Sequence, residues 1–250
     1  EIYNLGGQTS VGESFVNPLL TYELNTLSTV FMLESIRNAK FETKFYNAGS
    51  SEVFGNTIKK GANEESSYKP FSPYASSKAH SIDLVKFYRE NYEIFAVNGI
   101  LFNHESHLRG DNFVTQKIIS SAAKIKKGKL NKLELGNLKV FRDWGWAPEF
   151  VEAMTLMMNM TEPQDFVIGT GKATLLENFV KSVFDYFDLD WKNFVKINKD
   201  LYRPSDITFS KADPTKAKDI LNWKSNTSLE EIIFKMCEFK ISSNNLINQK

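Results

Sequence analysis

Short apolar runs alternate with longer helical patterns in the first part of the chain, and this rhythm limits the possible folds more than any other feature. Strands are predicted over residues 1–5, 43–48 and 96–102, with helices over 19–38 and 72–91 between them. The run at 96–102 is nearly continuous in apolar residues, as in a strand buried on both faces. Strands joined by helical crossovers pair in parallel and carry helices on both faces of the sheet. The sequence therefore predicts an α/β fold with a doubly wound parallel sheet.

The rhythm changes beyond residue 103, where short strands and amphipathic helices predict a smaller C-terminal lobe. Helices are predicted over 115–127, 148–160, 175–187, 213–221 and 229–239, and strands over 132–136 and 165–169. We divide the chain into a sheet domain at 1–103, a lobe at 104–239 and a polar tail at 240–250. Some segments of the lobe are expected to return to the sheet.

Composition excludes several classes of function. The net charge of +1 gives no reason to expect nucleic acid or an anionic membrane as a partner. No apolar run approaches the roughly 20 residues that span a bilayer, and the start of the chain, at 1–4, lacks the features of a secretory signal. The single cysteine, Cys237, rules out an internal disulfide and suits a reducing compartment. We therefore expect a cytoplasmic protein, and no metal site is predicted.

A dinucleotide fold carries a glycine-rich turn after its first strand, where backbone N–H groups and a helix N-terminus hold the pyrophosphate. No segment of this chain fits that pattern. Gly169-Thr170-Gly171 lies between a strand and a helix, but it lacks the third glycine and comes late in the chain. We interpret it as a plain strand-to-helix turn.

Tyr74 and Lys78 are four positions apart in the helix that Ser72 and Pro73 open, so they share one face of it. A tyrosine has an ordinary pKa of about 10 and is a poor base near neutrality. A neighbouring ammonium and a nicotinamide cation would both stabilise the phenolate. Because this spacing is common on exposed helix faces, the pair needs support from other residues.

That support comes from Ser50, Ser51 and Glu52, which follow a predicted strand at the end where ligands bind in open α/β sheets. A serine hydroxyl can hold the oxygen that is being oxidised. A carboxylate can move protons on a neighbouring carbon if burial raises its pKa. The combination with Tyr74 and Lys78 predicts a catalytic site.

These residues lie in stretches that resemble GDP-mannose 4,6-dehydratases, a family of extended short-chain dehydrogenases in which a serine, a tyrosine and a lysine are catalytic. The stretches are Phe45-Tyr46-Asn47-Ala48-Gly49-Ser50-Ser51-Glu52, Gly99-Ile100-Leu101-Phe102-Asn103-His104-Glu105-Ser106, Arg142-Asp143-Trp144-Gly145, Asp165-Phe166-Val167-Ile168, and Asp213-Pro214-Thr215-Lys216-Ala217 with Trp223. The resemblance covers about 1–239. It implies a Rossmann-like, NADP-binding domain whose first strands and glycine-rich turn are missing from this chain, followed by a lobe that binds a GDP-sugar.

The resemblance also implies a reaction and a role for each catalytic residue. Tyr74, with its pKa lowered by Lys78, takes the proton of the sugar C4 hydroxyl while hydride passes to NADP⁺, and Ser50 positions that hydroxyl. Glu52 then removes the C5 proton, water leaves from C6, and the same hydride returns to C6. The product is a GDP-4-keto-6-deoxy sugar, and NADP ends as it began. We expect the chain without its missing part to be inactive.

Binding residues are likewise implied by matching positions. The expected cofactor contacts are Leu5, Gly6, Gly7, Gln8, Thr9, His104 and Arg109, together with Tyr74 and Lys78. The expected GDP-sugar contacts are Ser51, Asn103, Lys117, Arg142, Arg203 and Asp206. The family also implies a homo-oligomer, either a dimer or a tetramer.

Several positions depart from the family pattern. Ser50 replaces a threonine, Gly7 an alanine, Ser10 a histidine, Leu20 a tyrosine, His107 a proline and Trp146 a histidine. These changes leave open whether the preferred sugar is mannose or a heptose. Two other hypotheses also stay open: a nucleotide-sugar 4-epimerase or reductase of the same fold, and a non-catalytic remnant.

Overall fold

The computed structural model describes residues 1–39 and 42–247. The strands in this part of the chain are β1 (Ile2–Asn4), β2 (Phe45–Ser50), β3 (Ala96–Leu101), β4 (Asn103–Glu105), β5 (Leu133–Leu135), β6 (Phe141–Trp146), β7 (Phe166–Ile168), β8 (Ala173–Leu175) and β9 (Val195–Ile197). The α-helices are α1 (Val11–Val16), α2 (Pro18–Tyr22), α3 (Ser28–Arg37), α4 (Pro73–Tyr92), α5 (Val114–Lys126), α6 (Ala147–Met158), α7 (Leu176–Tyr186), α8 (Trp191–Phe194), α9 (Thr215–Leu221) and α10 (Leu229–Ile247). None of these helices combines the length and the apolar character needed to cross a bilayer.

The main sheet has the strand order β1-β2-β3-β7, and every pair in it is parallel. Neighbouring residues of β2 point to opposite faces: Phe45 packs with α3 and α4, whereas Tyr46 packs with α6 and α9. Helices therefore cover both faces of the sheet. The predicted α/β fold with a doubly wound parallel sheet is confirmed.

The second part of the chain forms its own core and also contributes to the sheet. Helices α5, α7 and α10 pack around Ile118, Phe179, Val183 and Met236, all of which are buried. Beside this core lie a sheet of order β4-β6-β8 and the pair β5-β9. Strand β7 joins the main sheet and α6 packs on it, so the chain crosses between the two regions more than once. The division at residue 103 stays a prediction.

Strands β4, β6, β8 and β9 were not expected from the sequence. Strands β4, β8 and β9 have only three residues each. Strands β4 (Asn-His-Glu) and β6 (with Arg142 and Asp143) bury polar residues, so they lack the alternation of apolar and polar residues that identifies a strand. Their pairing depends on contacts between distant segments, which local sequence does not reveal.

The chain end and the first helical region differ from the prediction. Helix α10 does not give way to a polar tail after residue 239 but continues to Ile247, because Ile241 extends the buried stripe formed by Ile233 and Cys237. Residues 248–250 of the predicted tail lie outside the described residues. The helix predicted over 19–38 is interrupted by a π-helical turn, Glu23–Leu27, and α1 precedes it.

Three buried asparagines form a ladder across the main sheet. Asn4, Asn47 and Asn98 are aligned on β1, β2 and β3. The Asn4 amide donates to Asn47 Oδ1 (3.2 Å), and the Asn47 amide donates to Asn98 Oδ1 (2.9 Å). The ladder is tied to α3 through Thr29 Oγ1 (3.2 Å) and to α4 through the carbonyl of Ile82 (3.2 Å). It therefore fixes both the register of the strands and the position of the helices on that face.

We predict that Asn47→Leu destabilises the fold, because it leaves the buried Asn98 Oδ1 without its donor. A buried polar group without a partner costs about 1–3 kcal/mol, and urea denaturation should show a loss of that size in the free energy of unfolding. The matched control is Asn193→Leu, at an exposed site, which should change stability by no more than about 0.5 kcal/mol. Equal effects of the two substitutions would show that the ladder is not a source of stability.

Candidate active site

A cavity of about 630 Å³ opens at the carboxyl ends of β2 and β3 and is walled by both parts of the chain. Most residues predicted to be functional line it. They are Leu5, Thr9, Ser50, Ser51, Glu52, Tyr74, Lys78, Asn103, His104, Arg109, Lys117, Arg142, Arg203 and Asp206. The structure thus brings together residues that are up to two hundred positions apart in the sequence.

The predicted cofactor loop is only partly at the cavity, since Gly6, Gly7 and Gln8 do not line it. The Gln8 amide donates instead to the Ser10 carbonyl (2.9 Å) and to Thr21 Oγ1 (3.1 Å). Gly7 has a φ of +134°, and a Cβ atom there would lie 2.3 Å from Asn25 Oδ1. In this structure the glycine therefore permits a close protein contact. Contact of the loop with a cofactor stays a prediction.

Tyr74 is placed by the start of α4. Ser72 caps the helix by accepting the N–H of Ala75 (3.0 Å), and Pro73 occupies the first turn, as predicted. The neighbour of the Tyr74 hydroxyl is Ser50, whose oxygen already accepts the N–H of Glu52 (3.3 Å) and whose proton is free to be donated. Burial raises the pKa of Tyr74 to about 12; the hydrogen bond of Ser50 and the charge of Arg109 act in the opposite direction.

Lys78 lies one turn further along α4 and is almost fully buried. Its ammonium donates to the carbonyl of Ala48 on β2 (2.9 Å). Burial lowers the pKa of Lys78 to about 8, because the charged form is poorly solvated there. The geometry puts a lysine that can lose its proton near neutrality beside the tyrosine; its effect on the Tyr74 pKa stays a prediction.

Glu52 lies in a 3₁₀ turn, Ser51–Phe54, directly after β2. Burial raises the pKa of its carboxyl group, the charges of Arg142 and Arg203 lower it, and Asp206 raises it. A carboxyl group with a raised pKa is a stronger base than an exposed one, which suits a residue that takes up and releases a proton.

The two arginines that approach Glu52 are held differently. Arg142 is buried: Nη1 donates to the carbonyls of Ile207 (2.6 Å) and Phe141 (3.0 Å), and Nη2 donates to Asp206 (3.1 Å). The Arg203 side chain is 40% exposed and lies 3.9 Å from Asp206. Arg203 is therefore the more accessible of the two to an anionic ligand. Arg142 is already engaged by protein acceptors.

Asn103 and His104 lie on β4 and line the cavity. His104 Nδ1 is 2.9 Å from the Phe102 carbonyl, which can only accept, so Nδ1 carries the proton. Burial lowers the pKa of His104, and its ring stacks on Phe150 at 4.8 Å between centroids. A neutral ring with Nε2 as an acceptor results. Lys117 also lines the cavity, where it donates to the carbonyl of Glu134 (2.9 Å).

The Gly169-Thr170-Gly171 turn joins β7 to the short strand β8, and not directly to a helix as predicted. The backbone N–H groups of Thr170 and Gly171 both donate to the buried Asp143 carboxylate (2.9 Å each), and that of Ala212 does so at 3.1 Å. The donors that would hold a phosphate are thus used by a protein anion.

Sequence reasoning missed other residues of the cavity wall. Glu105, Thr115, Val151 and Met154 line it, and Glu105 is 1% exposed. The sequence signal that could have found Glu105 is its place in the Asn-His-Glu-Ser stretch, directly after the predicted site residues Asn103 and His104.

The residues present fit a nicotinamide cofactor. Tyr74 and Lys78 share the cavity with His104, whose free Nε2 can accept a hydrogen bond. Arg109 Nε is buried and donates no hydrogen bond to any described residue. Such an unused cationic donor suits an anionic or oxygen-rich ligand.

Comparison with known proteins shows the family of the chain. A family model described as GDP-mannose 4,6 dehydratase matches residues 1–236. The chain is 40% identical over 242 residues to GDP-mannose 4,6 dehydratase 2 of Arabidopsis thaliana, covering 95% of this chain and 65% of the relative. It is 39% identical over 255 residues to GDP-mannose 4,6 dehydratase of Homo sapiens, covering 94% and 68%. The chain thus spans about two thirds of the length of these relatives.

Solved structures share the fold at lower identity. RMD from Pseudomonas aeruginosa, complexed with NADPH, superposes with a TM-score of 0.87 at 21% identity, covering 96% of this chain and 81% of that one. A double mutant of DesIV, a dTDP-glucose 4,6-dehydratase from Streptomyces venezuelae with NAD and DAU bound, gives 0.86 at 16% identity, covering 98% and 74%. These structures show the fold. The match of the family model over residues 1–236, with the relatives of 39–40% identity, shows that the chain belongs to the GDP-mannose 4,6-dehydratase family.

Proposed function

We propose that this chain is the catalytic part of an NADP-dependent GDP-mannose 4,6-dehydratase, a lyase that forms the GDP-4-keto-6-deoxy sugar. The observation that carries the proposal is the grouping of Ser50, Glu52 and Tyr74 in one cavity, with Ser50 beside the Tyr74 hydroxyl. An oxidation at C4 needs the serine and the tyrosine, and loss of water across C5 and C6 needs the additional base.

The protein residues would handle the protons. Ser50 holds the C4 hydroxyl, and Tyr74 takes its proton as C4 becomes a ketone. Glu52 takes the C5 proton, which the ketone has acidified. The C6 hydroxyl receives one of the two protons now held by Tyr74 and Glu52 and leaves as water, and the other proton returns to C5. When bound, NADP⁺ supplies the hydride acceptor at C4 and the hydride donor at C6, so no cofactor is consumed.

The Tyr74 pKa of about 12 must fall before this residue can act as a base near neutrality. Lys78 is one turn away, and a cationic nicotinamide would add a second positive charge. The cofactor would be held by Lys78, Tyr74, His104 and Arg109, with Leu5 to Thr9 along it. The choice of NADP over NAD is part of the proposal; the RMD structure complexed with NADPH supports it.

The GDP-sugar would occupy the part of the cavity nearer the lobe, against Ser51, Asn103, Lys117, Arg142, Arg203 and Asp206. A guanidinium can bind phosphate oxygens in a bidentate manner. Because Arg203 is more exposed than Arg142, we assign it the larger share of the contact with the diphosphate. Arg142 would act mainly by holding Asp206 and by its charge near Glu52.

A cytoplasmic location and a homo-oligomeric state, dimer or tetramer, are also proposed. The first rests on the single cysteine. The second rests on the family alone.

The full-length polypeptide, incubated with NADP and GDP-mannose deuterated at C4, should give a product that has lost one water and carries the deuterium at C6. No net NADPH should form, because the hydride returns to the sugar. Mass spectrometry with fragmentation measures both. A protein that binds NADP but releases no water from GDP-mannose would contradict the proposal; GDP-heptose, tested alongside, would show whether the sugar or the reaction class was wrong.

Glu52→Gln should lower kcat by about 10²–10⁴-fold, because a general base is lost, while oxidation at C4 continues. Rapid-mixing absorbance should then show enzyme-bound NADPH accumulating. Glu64→Gln is the matched control: that carboxylate is largely buried and accepts the N–H of Val167 (2.6 Å) outside the cavity, so activity should be retained. Full activity of Glu52→Gln would favour an epimerase or a reductase, which needs no C5 base coupled to loss of water.

The 250-residue chain by itself should bind NADP weakly or not at all. Its sequence lacks the glycine-rich turn, and Gly6, Gly7 and Gln8 do not reach the cavity. Isothermal titration calorimetry on the chain and on the full-length polypeptide makes the comparison. Submicromolar binding by the chain would show that the cofactor site is complete without further residues.

A further inference from the structure

Glu105 is a nearly fully buried carboxylate in the cavity wall, and the proposed reaction does not use it. It ends β4 and accepts a hydrogen bond from Thr115 Oγ1 (2.6 Å) near the start of α5. Its Oε2 atom lies 3.5 Å from Arg109 Nε. A buried carboxylate is costly unless it is paired, and these two neighbours are its partners among the described residues.

Among the described residues, two contacts hold the Arg109 side chain. One is the ion pair of its Nε atom with Glu105, and the other is the ring of Phe113, whose centroid lies 3.7 Å from the guanidinium carbon. The Nε atom is buried against Glu105 without a hydrogen bond of normal length. Arg109 lines the cavity, and no described residue accepts a hydrogen bond from its guanidinium, so its two Nη groups are available to a ligand.

We propose that Glu105 is a positioning residue for the cofactor: it holds the Arg109 guanidinium flat against Phe113, so that the unused N–H donors meet an anionic or oxygen-bearing group of NADP. This inference rests on the proposed function, since it assumes that NADP occupies the cavity. Thr115 assists by fixing the carboxylate.

The arrangement of the loop supports this role. Glu105, Arg109 and Phe113 are spaced four residues apart along the segment between β4 and α5, and their side chains interact across it. The backbone of the loop is held by the N–H of Arg109 to the Ser106 carbonyl (3.1 Å) and by that of Phe113 to the Gly110 carbonyl (3.1 Å). Its side chains are held as well, since Asp111 accepts a hydrogen bond from Ser120 on α5 (2.7 Å). On this fixed backbone, the contacts with Glu105 and Phe113 place the guanidinium.

Removing the Glu105 charge has two opposite consequences for an anionic ligand. It removes a negative charge close to the ligand, which would strengthen binding through simple electrostatics. It also allows the Arg109 side chain to move away from the Phe113 ring. Binding would then weaken, because the guanidinium is no longer aligned with the anionic group of the ligand. The direction of the change in affinity therefore distinguishes a positioning residue from a carboxylate that only adds charge.

The test is a double-mutant cycle on the full-length polypeptide, with NADP affinity measured by isothermal titration calorimetry. Glu105→Gln should raise the Kd for NADP about tenfold, the loss expected when a charge-assisted hydrogen bond is misaligned. Arg109→Ala should raise it by at least as much. The double variant should bind no more weakly than Arg109→Ala alone, because Glu105 acts only through Arg109. Unchanged or tighter binding by Glu105→Gln, or additive losses, would overturn the inference.

Thr115→Val provides a second variant if Glu105→Gln does not fold. It removes the hydroxyl that fixes the carboxylate but leaves the charges in place, so the Kd should rise by a smaller factor; an unchanged Kd would count against the inference. Glu64→Gln is again the control and should bind NADP as the wild type does. A wild-type protein that fails to bind NADP would refute the proposed function itself, whereas normal wild-type binding with an unaffected Glu105→Gln would refute this inference alone.

Discussion

The amide ladder of Asn4, Asn47 and Asn98 is the interaction on which the rest of the structure depends. In a parallel sheet a slip of one residue turns every side chain to the opposite face, and a buried amide that loses its partner is penalised strongly. The ladder therefore admits one register for β1, β2 and β3. That register decides where the strands end, and hence which residues meet at the cavity.

Burial shifts the pKa values of the proposed catalytic residues in opposite directions, and in each case it favours the neutral side chain. It raises the pKa of Tyr74 to about 12 and lowers that of Lys78 to about 8, because it disfavours the charged form of each. Burial likewise raises the pKa of Glu52, although two arginines act against it. Before ligands bind, the site thus favours neutral side chains. The charges brought by the ligands would determine which of them ionise.

The sequence predicted the parallel sheet and the helix start that places Tyr74, because both depend on local patterns. The apolar run that contains β3 and the Ser72-Pro73 start of α4 were visible without any knowledge of distant residues. The surroundings of Arg142 and Glu105 could not be predicted in this way. Arg142 is bound by Asp206 and Ile207, which are more than sixty positions away. Glu105 is bound by Thr115 across a loop, and its partner Arg109 packs on Phe113. Local sequence cannot show whether an arginine is free for a ligand or already bound by protein groups.

The contact between Gly7 and Asn25 has a consequence for how this family can vary. Asn25 donates to the Gln8 carbonyl (3.1 Å) and to Ser77 Oγ on α4 (3.0 Å), so it joins the segment after β1 to the catalytic helix. A side chain at position 7 would collide with the Asn25 amide. In a relative with alanine at position 7, the residue that corresponds to Asn25 must therefore adopt another side-chain position or be a different residue. The residues at positions 7 and 25 should therefore change together in evolution, because the space between them limits their combined side-chain volume.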